Sequence, residues 1–216
     1  MKHVIAYEGK VSSCLGLLLE EYAPLFVPWA NHRVDVEGTY MRAPYWPSNF
    51  VEWVRELGKS KGKNEVFAVL VRTGTGKKAS YQYVGHMGIH NISWPQGSGT
   101  TGSIIGVRSA QGRGVGTEAK LLLLYHAFKV LGLRKVISNV KGFNAQSAGH
   151  LIKCGYQFVG RYRRHIPHGG TFVDDVLFEV FPEDWEPIWD AYQKTGTLPR
   201  LTSEQRELLQ KEIGTL

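Results

Sequence analysis

Cysteine is almost missing from this 216-residue chain, with only Cys14 and Cys154 present. Neither sits in a CxxC pair or a framework of pairs, which excludes a disulfide scaffold and a thiolate zinc site, so no metal is expected. Long apolar runs are lacking too, and none approaches the roughly 20 residues of a membrane span. The first ten residues, MKHVIAYEGK, lack the extended apolar segment of a secretory signal. These absences lead us to expect a reducing, cytoplasmic setting with no membrane partner. Acidic residues are the minority charge, 19 Asp+Glu against 26 Lys+Arg for a formal +7. That balance favours an anionic ligand or partner, although a solvated basic surface gives the same count. With 43% hydrophobic residues and no internal repeat, the chain reads as one globular domain over residues 1–194, followed by an appendage, 195–216, with a short helix.

Glycine, by contrast, is plentiful and placed with purpose. Gln111-Gly112-Arg113-Gly114-Val115-Gly116 opens directly onto a long apolar run to residue 131. Glycines without Cβ let the backbone close around a phosphate, while the unpaired N–H groups and the positive dipole end of the following helix face the anion. A phosphorylated cofactor is the expectation. A second glycine turn, Gly74-Thr75-Gly76-Lys77, fails as a nucleotide loop: Val71 stands where the earlier glycine is needed, and a strand follows instead of a helix.

The patterning around the loop predicts a mixed α/β order. Residues 11–19 read as a short strand and 18–29 as a helix stopping near Pro28, with a Pro- and aromatic-rich crossing over 40–47. A helix N-capped by Ser48 runs to Leu57, and strands at 66–72 and 81–92 form a hairpin. A turn at 97–99 and a strand over 100–107 precede the glycine loop, and 114–131 is a buried helix stopped by Gly132. Then come a strand at 135–140, a helix at 145–154 with Asn144 as N-cap and Gly155 behind it, and two strands at 156–165 and 171–181. Beyond Gly196 and Pro199, Thr202-x-x-Gln205 resembles a capping box. This tail is expected to pack on the domain or on a second subunit, so a homodimer is one possibility.

A dinucleotide fold wants its loop in the first βαβ unit and an acidic residue about 20 positions on. Here the loop is central and that position falls at Arg134-Lys135, which disfavours NAD. The chain instead resembles the GNAT superfamily of acetyl-CoA-dependent N-acetyltransferases, and within it the RimJ/RimL branch of ribosomal-protein N-terminal acetyltransferases. The segments GRGVGTEAKLLLLYHAFKVLGLRKVISNV, FNAQSAGHLIKCGYQFVGRYRRH and FVDDVLFEV carry the likeness, which spans residues 11–190 and is strongest over 104–180. It implies an α/β (α+β) fold with a mixed, largely antiparallel central sheet flanked by helices. It also implies transfer of acetyl from acetyl-CoA to a primary amine, at a protein N-terminus or on a small molecule, by direct attack on the thioester. Cys14 and Cys154 have no visible activating partner, which speaks against a covalent enzyme intermediate. Other classes left open are a non-catalytic acyl-CoA-binding module and, from the +7 charge, a basic RNA- or ribosome-associated domain.

By the same resemblance, the backbone of Gln111, Gly112, Arg113, Gly114, Val115, Gly116 and Thr117 receives the cofactor pyrophosphate. Ile105 and Val107, on a strand that splays from its neighbour, pair with the pantetheine arm. Asn144 and Ser147 match the family's Asn-x-x-Ser facing pantetheine and sulfur, although Asn is also a common helix cap. Ser147 is then placed to hydrogen-bond the leaving thiolate. Leu151 occupies the position where many relatives outside this branch carry an acidic tyrosine, so no tyrosine acid is assigned. The strand before the loop has no carboxylate where several relatives have glutamate. His86 and His90 lie on one face of the preceding strand, and His90 is the preferred base, acting directly or through water. Trp29, Asn31, Tyr40, Tyr45 and Trp46 are expected to line or flank the acceptor site. The family's Trp-x-Asn-Asp reads Trp29-Ala30-Asn31-His32 here, which removes one anchor for a cationic acceptor. Arg161, Arg163 and His165 form a basic face for an acidic peptide, CoA phosphates or ribosomal RNA, or simply for solvent.

Overall fold

In the computed structural model, which describes residues 3–32, 44–60, 62–74 and 76–213, the β-branched and aromatic runs pair into one eight-stranded sheet. Its strands are β1 (Ile5–Glu8), β2 (Ser13–Leu17), β3 (Glu65–Thr73), β4 (Ser80–Ser93), β5 (Ser98–Ile105), β6 (Lys135–Lys141), β7 (Gln157–His168) and β8 (Thr171–Val180). They lie in the order β1-β2-β3-β4-β5-β6-β8-β7. Every neighbouring pair is antiparallel except β5 and β6, which are parallel. The helices are α1 (Ala23–Asn31), α2 (Pro47–Lys59), α3 (Val115–Tyr125, continued by a π-helical turn His126–Val130), α4 (Ala145–Lys153), α5 (Pro182–Thr195) and α6 (Ser203–Glu212).

Side chains alternate across a strand, and the sheet uses both faces. Leu15, Val69 and Val84 join a core with α3, whose Leu121, Leu122, Leu123 and Leu124 are all buried. Their neighbours Cys14, Ala68, Leu70 and Tyr83 join a second core with Phe26 of α1 and Phe50 of α2. Burial on all sides, of Leu121 to Leu124 and also of Glu118 and Lys120, makes α3 the central helix. Trp185, Tyr192, Leu201 and Leu209 of the C-terminal segment are buried in the same cluster as α3.

Glu118, in the first turn of α3, is fully buried instead of lying in solvent at the helix dipole. Its carboxylate accepts from the backbone N–H groups of Val11 (2.6 Å), Ser12 (2.9 Å) and Ser13 (2.7 Å), and from the Tyr192 hydroxyl (2.6 Å). It thereby ties the β1–β2 turn and α5 to the central helix.

Several boundaries differ from the sequence expectation. Helix α1 runs through Pro28 to Asn31, because the Asn31 amide donates to the Val27 carbonyl (3.0 Å) and the Tyr45 carbonyl (2.7 Å) and its Oδ1 accepts from Tyr45 N (2.8 Å). Helix α2 is capped at Trp46, with Pro47 at its first position and Asn49 Oδ1 accepting from Trp46 N (2.8 Å). Strand β1 and helix α5 were not anticipated. The signals for α5 are present: Pro182 at the start, Glu183 and Asp184 in the first turn, and Gly196 in a left-handed cap. The Thr202–Gln205 capping box forms as expected.

Candidate active site

The site begins where the sheet opens. Parallel pairing between β5 and β6 covers only Ser98↔Lys135 to Thr101↔Ser138. Past that point β5 stays on β4 as far as Ile105↔Gly85, and β6 stays on β8 as far as Lys141↔Asp175. Each strand keeps its outer partner and loses its inner one, so the two diverge as the arms of a V. At the vertex the Thr101 hydroxyl bonds the buried Tyr156 hydroxyl (2.8 Å), and Ser138 Oγ donates to the Thr101 carbonyl (3.1 Å).

Between the arms lies a cavity of about 590 Å³. On the β4–β5 side it is lined by His86, His90 and residues 100–104, on the β6–β8 side by Ser138, Asn139, Val140 and Asp175, with Trp53 of α2 and Ser147 and Leu151 of α4 completing the wall. Both histidines and Ser147, named from sequence, meet here. Sequence reasoning missed Trp53, Thr101, Asn139 and Asp175. Helical and strand periodicity was their only available signal, and it does not say which strands diverge.

Burial governs the imidazoles. His86 is packed against the rings of Phe26 (4.9 Å), Trp53 (4.9 Å) and Phe50 (6.4 Å), and burial with His90 nearby pulls it down to about 3. His90 is also lowered from its ordinary value, by burial and by the Lys120 charge. Lys120 is itself buried in α3, 5.9 Å from the Tyr156 ring centroid, and burial brings it down to about 8. Burial raises both thiols, Cys14 to about 11 and Cys154 to about 12. Thiols held so far toward the protonated form are poor nucleophiles.

The glycine loop stands at the end of the β5 arm. Gly112 and Gly114 have φ of 69° and 84°, the left-handed region, and Gly114 is the N-cap of α3. Glu118 N bonds the Gly114 carbonyl (2.9 Å), the first intrahelical bond. The N–H groups of Val115, Gly116 and Thr117 are thus those a helix leaves without internal acceptors. Gln111, Gly112 and Arg113 are exposed, and Gln111 Nε2 donates to the Ile105 carbonyl (2.7 Å). Val107 follows the strand end as the residue before a single helical turn, Arg108–Ala110. This cradle of free donors and positive dipole fits a pyrophosphate. Leu198 of the C-terminal segment packs on it, since a Cβ at position 114 would lie 2.5 Å from its Cδ1.

The remaining candidates are distributed differently. Asn144 Oδ1 caps α4 by accepting from Ser147 N (3.0 Å). Trp29 stacks on Tyr83 (5.6 Å) and leaves no room for a Cβ at Gly106. Asn31 holds Tyr45, as described above, and Trp46 is 64% exposed. None of Trp29, Asn31 and Trp46 lines the cavity, and Tyr40 lies outside the described residues. Arg161 pairs with Glu212 of α6 and with Asp174 (3.5 Å), while Arg163 and His165 are exposed at an irregularity of β7 between Tyr162 and Ile166.

Residues 16–157 match the family model described as acetyltransferase (GNAT) domain. The chain is 26% identical over 133 residues to the uncharacterized N-acetyltransferase YnaD of Bacillus subtilis (strain 168), across 60% of this chain and 72% of YnaD. Among solved structures, Mycobacterium smegmatis RimJ in complex with CoA-disulfide superposes with a TM-score of 0.73 at 16% identity, covering 93% of this chain and 96% of RimJ. Vibrio cholerae spermidine N-acetyltransferase in complex with CoA and spermine gives 0.69 at 16% identity, covering 81% and 98%. At these identities both likenesses speak for the fold.

Proposed function

This chain belongs to the GNAT acetyltransferase family, and we propose that it moves the acetyl group of acetyl-CoA directly onto a primary amine, either a protein N-terminus or a small molecule. The observation that carries the reading is the divergence of β5 from β6 beside the glycine loop. It opens one cavity that holds a neutral imidazole and a serine hydroxyl together. One of the similar folds, spermidine N-acetyltransferase in complex with CoA and spermine, illustrates a small-molecule amine acceptor.

Acetyl-CoA supplies an acetyl group activated as a thioester. The N–H groups of residues 112–117 and the α3 dipole hold its pyrophosphate, and the unpaired edge of β5 beyond Thr101 offers backbone groups to the amide-bearing arm. His90, kept neutral by burial, accepts the proton that the attacking amine must lose. Nitrogen bonds to the acyl carbon as the carbon–sulfur bond breaks, and the Ser147 hydroxyl donates to the departing sulfur. A thiol ionising near pH ~8.5 leaves readily, so Leu151 in place of a tyrosine acid is compatible with turnover.

Acceptor-dependent CoA release, measured across peptides with free N-termini and small amines, tests the proposal. Turnover of at least one acceptor is expected. Acetyl-CoA binding without release on any of them would instead favour a non-catalytic acyl-CoA-binding module.

A further inference from the structure

We infer that the C-terminal segment is part of the acetyl-CoA site: Leu198 buttresses the glycine loop at Gly114 and so acts as a positioning residue for the backbone donors that hold the pyrophosphate. The inference rests on the cofactor reading above. The family match covers residues 16–157 and does not supply it.

The loop has few other restraints. Gln111, Gly112 and Arg113 are exposed, and among the described residues nothing lies within 4 Å of the point where a Cβ at Gly112 would stand. An exposed turn with two left-handed glycines, at φ of 69° and 84°, is backbone with wide conformational freedom. Yet its N–H groups must converge on one anion. At position 114 a Cβ would stand 2.5 Å from Leu198 Cδ1, so the leucine methyl lies in the space that the missing side chain leaves and limits how far the loop can swing that way. Gly116 is held from α4, where His150 Nε2 donates to its carbonyl (2.9 Å).

A buttress must itself be fixed, and the segment carrying Leu198 is fixed at both ends. Upstream, the Tyr192 hydroxyl donates to Glu118 in the first turn of α3 (2.6 Å) and accepts from Lys10 N (2.6 Å), and Gly196, with φ of 68°, then turns the chain out of α5. Downstream, Leu201 and Leu209 are buried in the core cluster of α3. Between these anchors Pro199 removes backbone freedom next to Leu198. Donors already held in place spare the ligand the cost of ordering them, so the buttress is expressed as cofactor affinity. The coupling is reciprocal: a cofactor that needs the buttressed loop also steadies the segment that buttresses it.

The test uses the full chain as wild type, L198A and L198M, with acetyl-CoA binding by calorimetry, amide hydrogen exchange with and without acetyl-CoA, and urea unfolding of each. In folded L198A the acetyl-CoA Kd should rise by about tenfold, exchange at residues 112–117 should quicken, and L198M should recover most of the affinity. A leucine that only adds stability would lower the urea midpoint and leave the Kd unchanged. That result, or tighter binding by L198A, overturns the buttress while leaving the cofactor reading intact. If L198A does not fold, wild-type exchange decides: acetyl-CoA should slow the amides of residues 197–201 together with those of the loop, and unchanged exchange at 197–201 overturns the buttress. A wild type that does not bind acetyl-CoA overturns the cofactor reading and the buttress with it.

Discussion

Burial decides what individual side chains can do here. His90 keeps its imidazole neutral below the ordinary value of about 6.5, because desolvation and the Lys120 charge both oppose protonation. H90Q should lower kcat by about 10²-fold with acetyl-CoA affinity intact by calorimetry. In wild type the acidic limb belonging to His90 should lie below pH 6.5, since the reactive neutral form persists there, and H90Q should abolish that limb. Glu118 makes the complementary case, a charge whose burial is compensated by three backbone N–H groups and one hydroxyl. E118Q turns a donor amide toward some of those donors and should cost about 3 kcal/mol in denaturant unfolding. Along the chain Glu118 is merely an acid in the first turn of a helix. Its four donors come from residues 11–13 and 192, and no local pattern reveals them.

Among the elements, the glycine loop was the most legible, because its chemistry is backbone chemistry written in glycine spacing. Gly114 adopts a φ of 84° and faces Leu198, so a β-branched residue there meets backbone strain and a clash at once. G114V should weaken acetyl-CoA binding by at least about 100-fold by calorimetry, and binding that survives would refute the loop's assignment. The Asn144-x-x-Ser147 helix was equally readable, since capping needs only a three-residue spacing. Strand β1 was not: four residues with two exposed positions hold their place by pairing with β2. The acceptor-side aromatics divide the same way. Their apolar character was evident, yet among the described residues only Trp53 reaches the cavity, because α2 meets the sheet beside His86.

For the molecule as a whole, acid should be the weak side. Unfolded, His86 and His150 take up protons below about pH 6.5; folded, burial keeps both neutral down to about 3. The unfolded chain then binds more protons throughout that window. Stability should be full above pH 6.5 and fall as pH drops toward 3, by up to about 1.4 kcal/mol per pH unit for each histidine. Urea midpoints across that range check this, and H86F should flatten the slope if its ring is accommodated among Phe26, Phe50 and Trp53. By itself the sequence determined the α/β order, the glycine turn at the start of α3, the Asn-x-x-Ser helix and the family resemblance, all of which depend on spacing along the chain. Only the tertiary structure decided that β5 and β6 part after Thr101 and Ser138, that Asp175 and Trp53 enter the resulting cavity, and that Leu198 lies on the glycine loop. Those contacts join residues far apart in sequence, and their energies depend on shared burial that no single segment encodes.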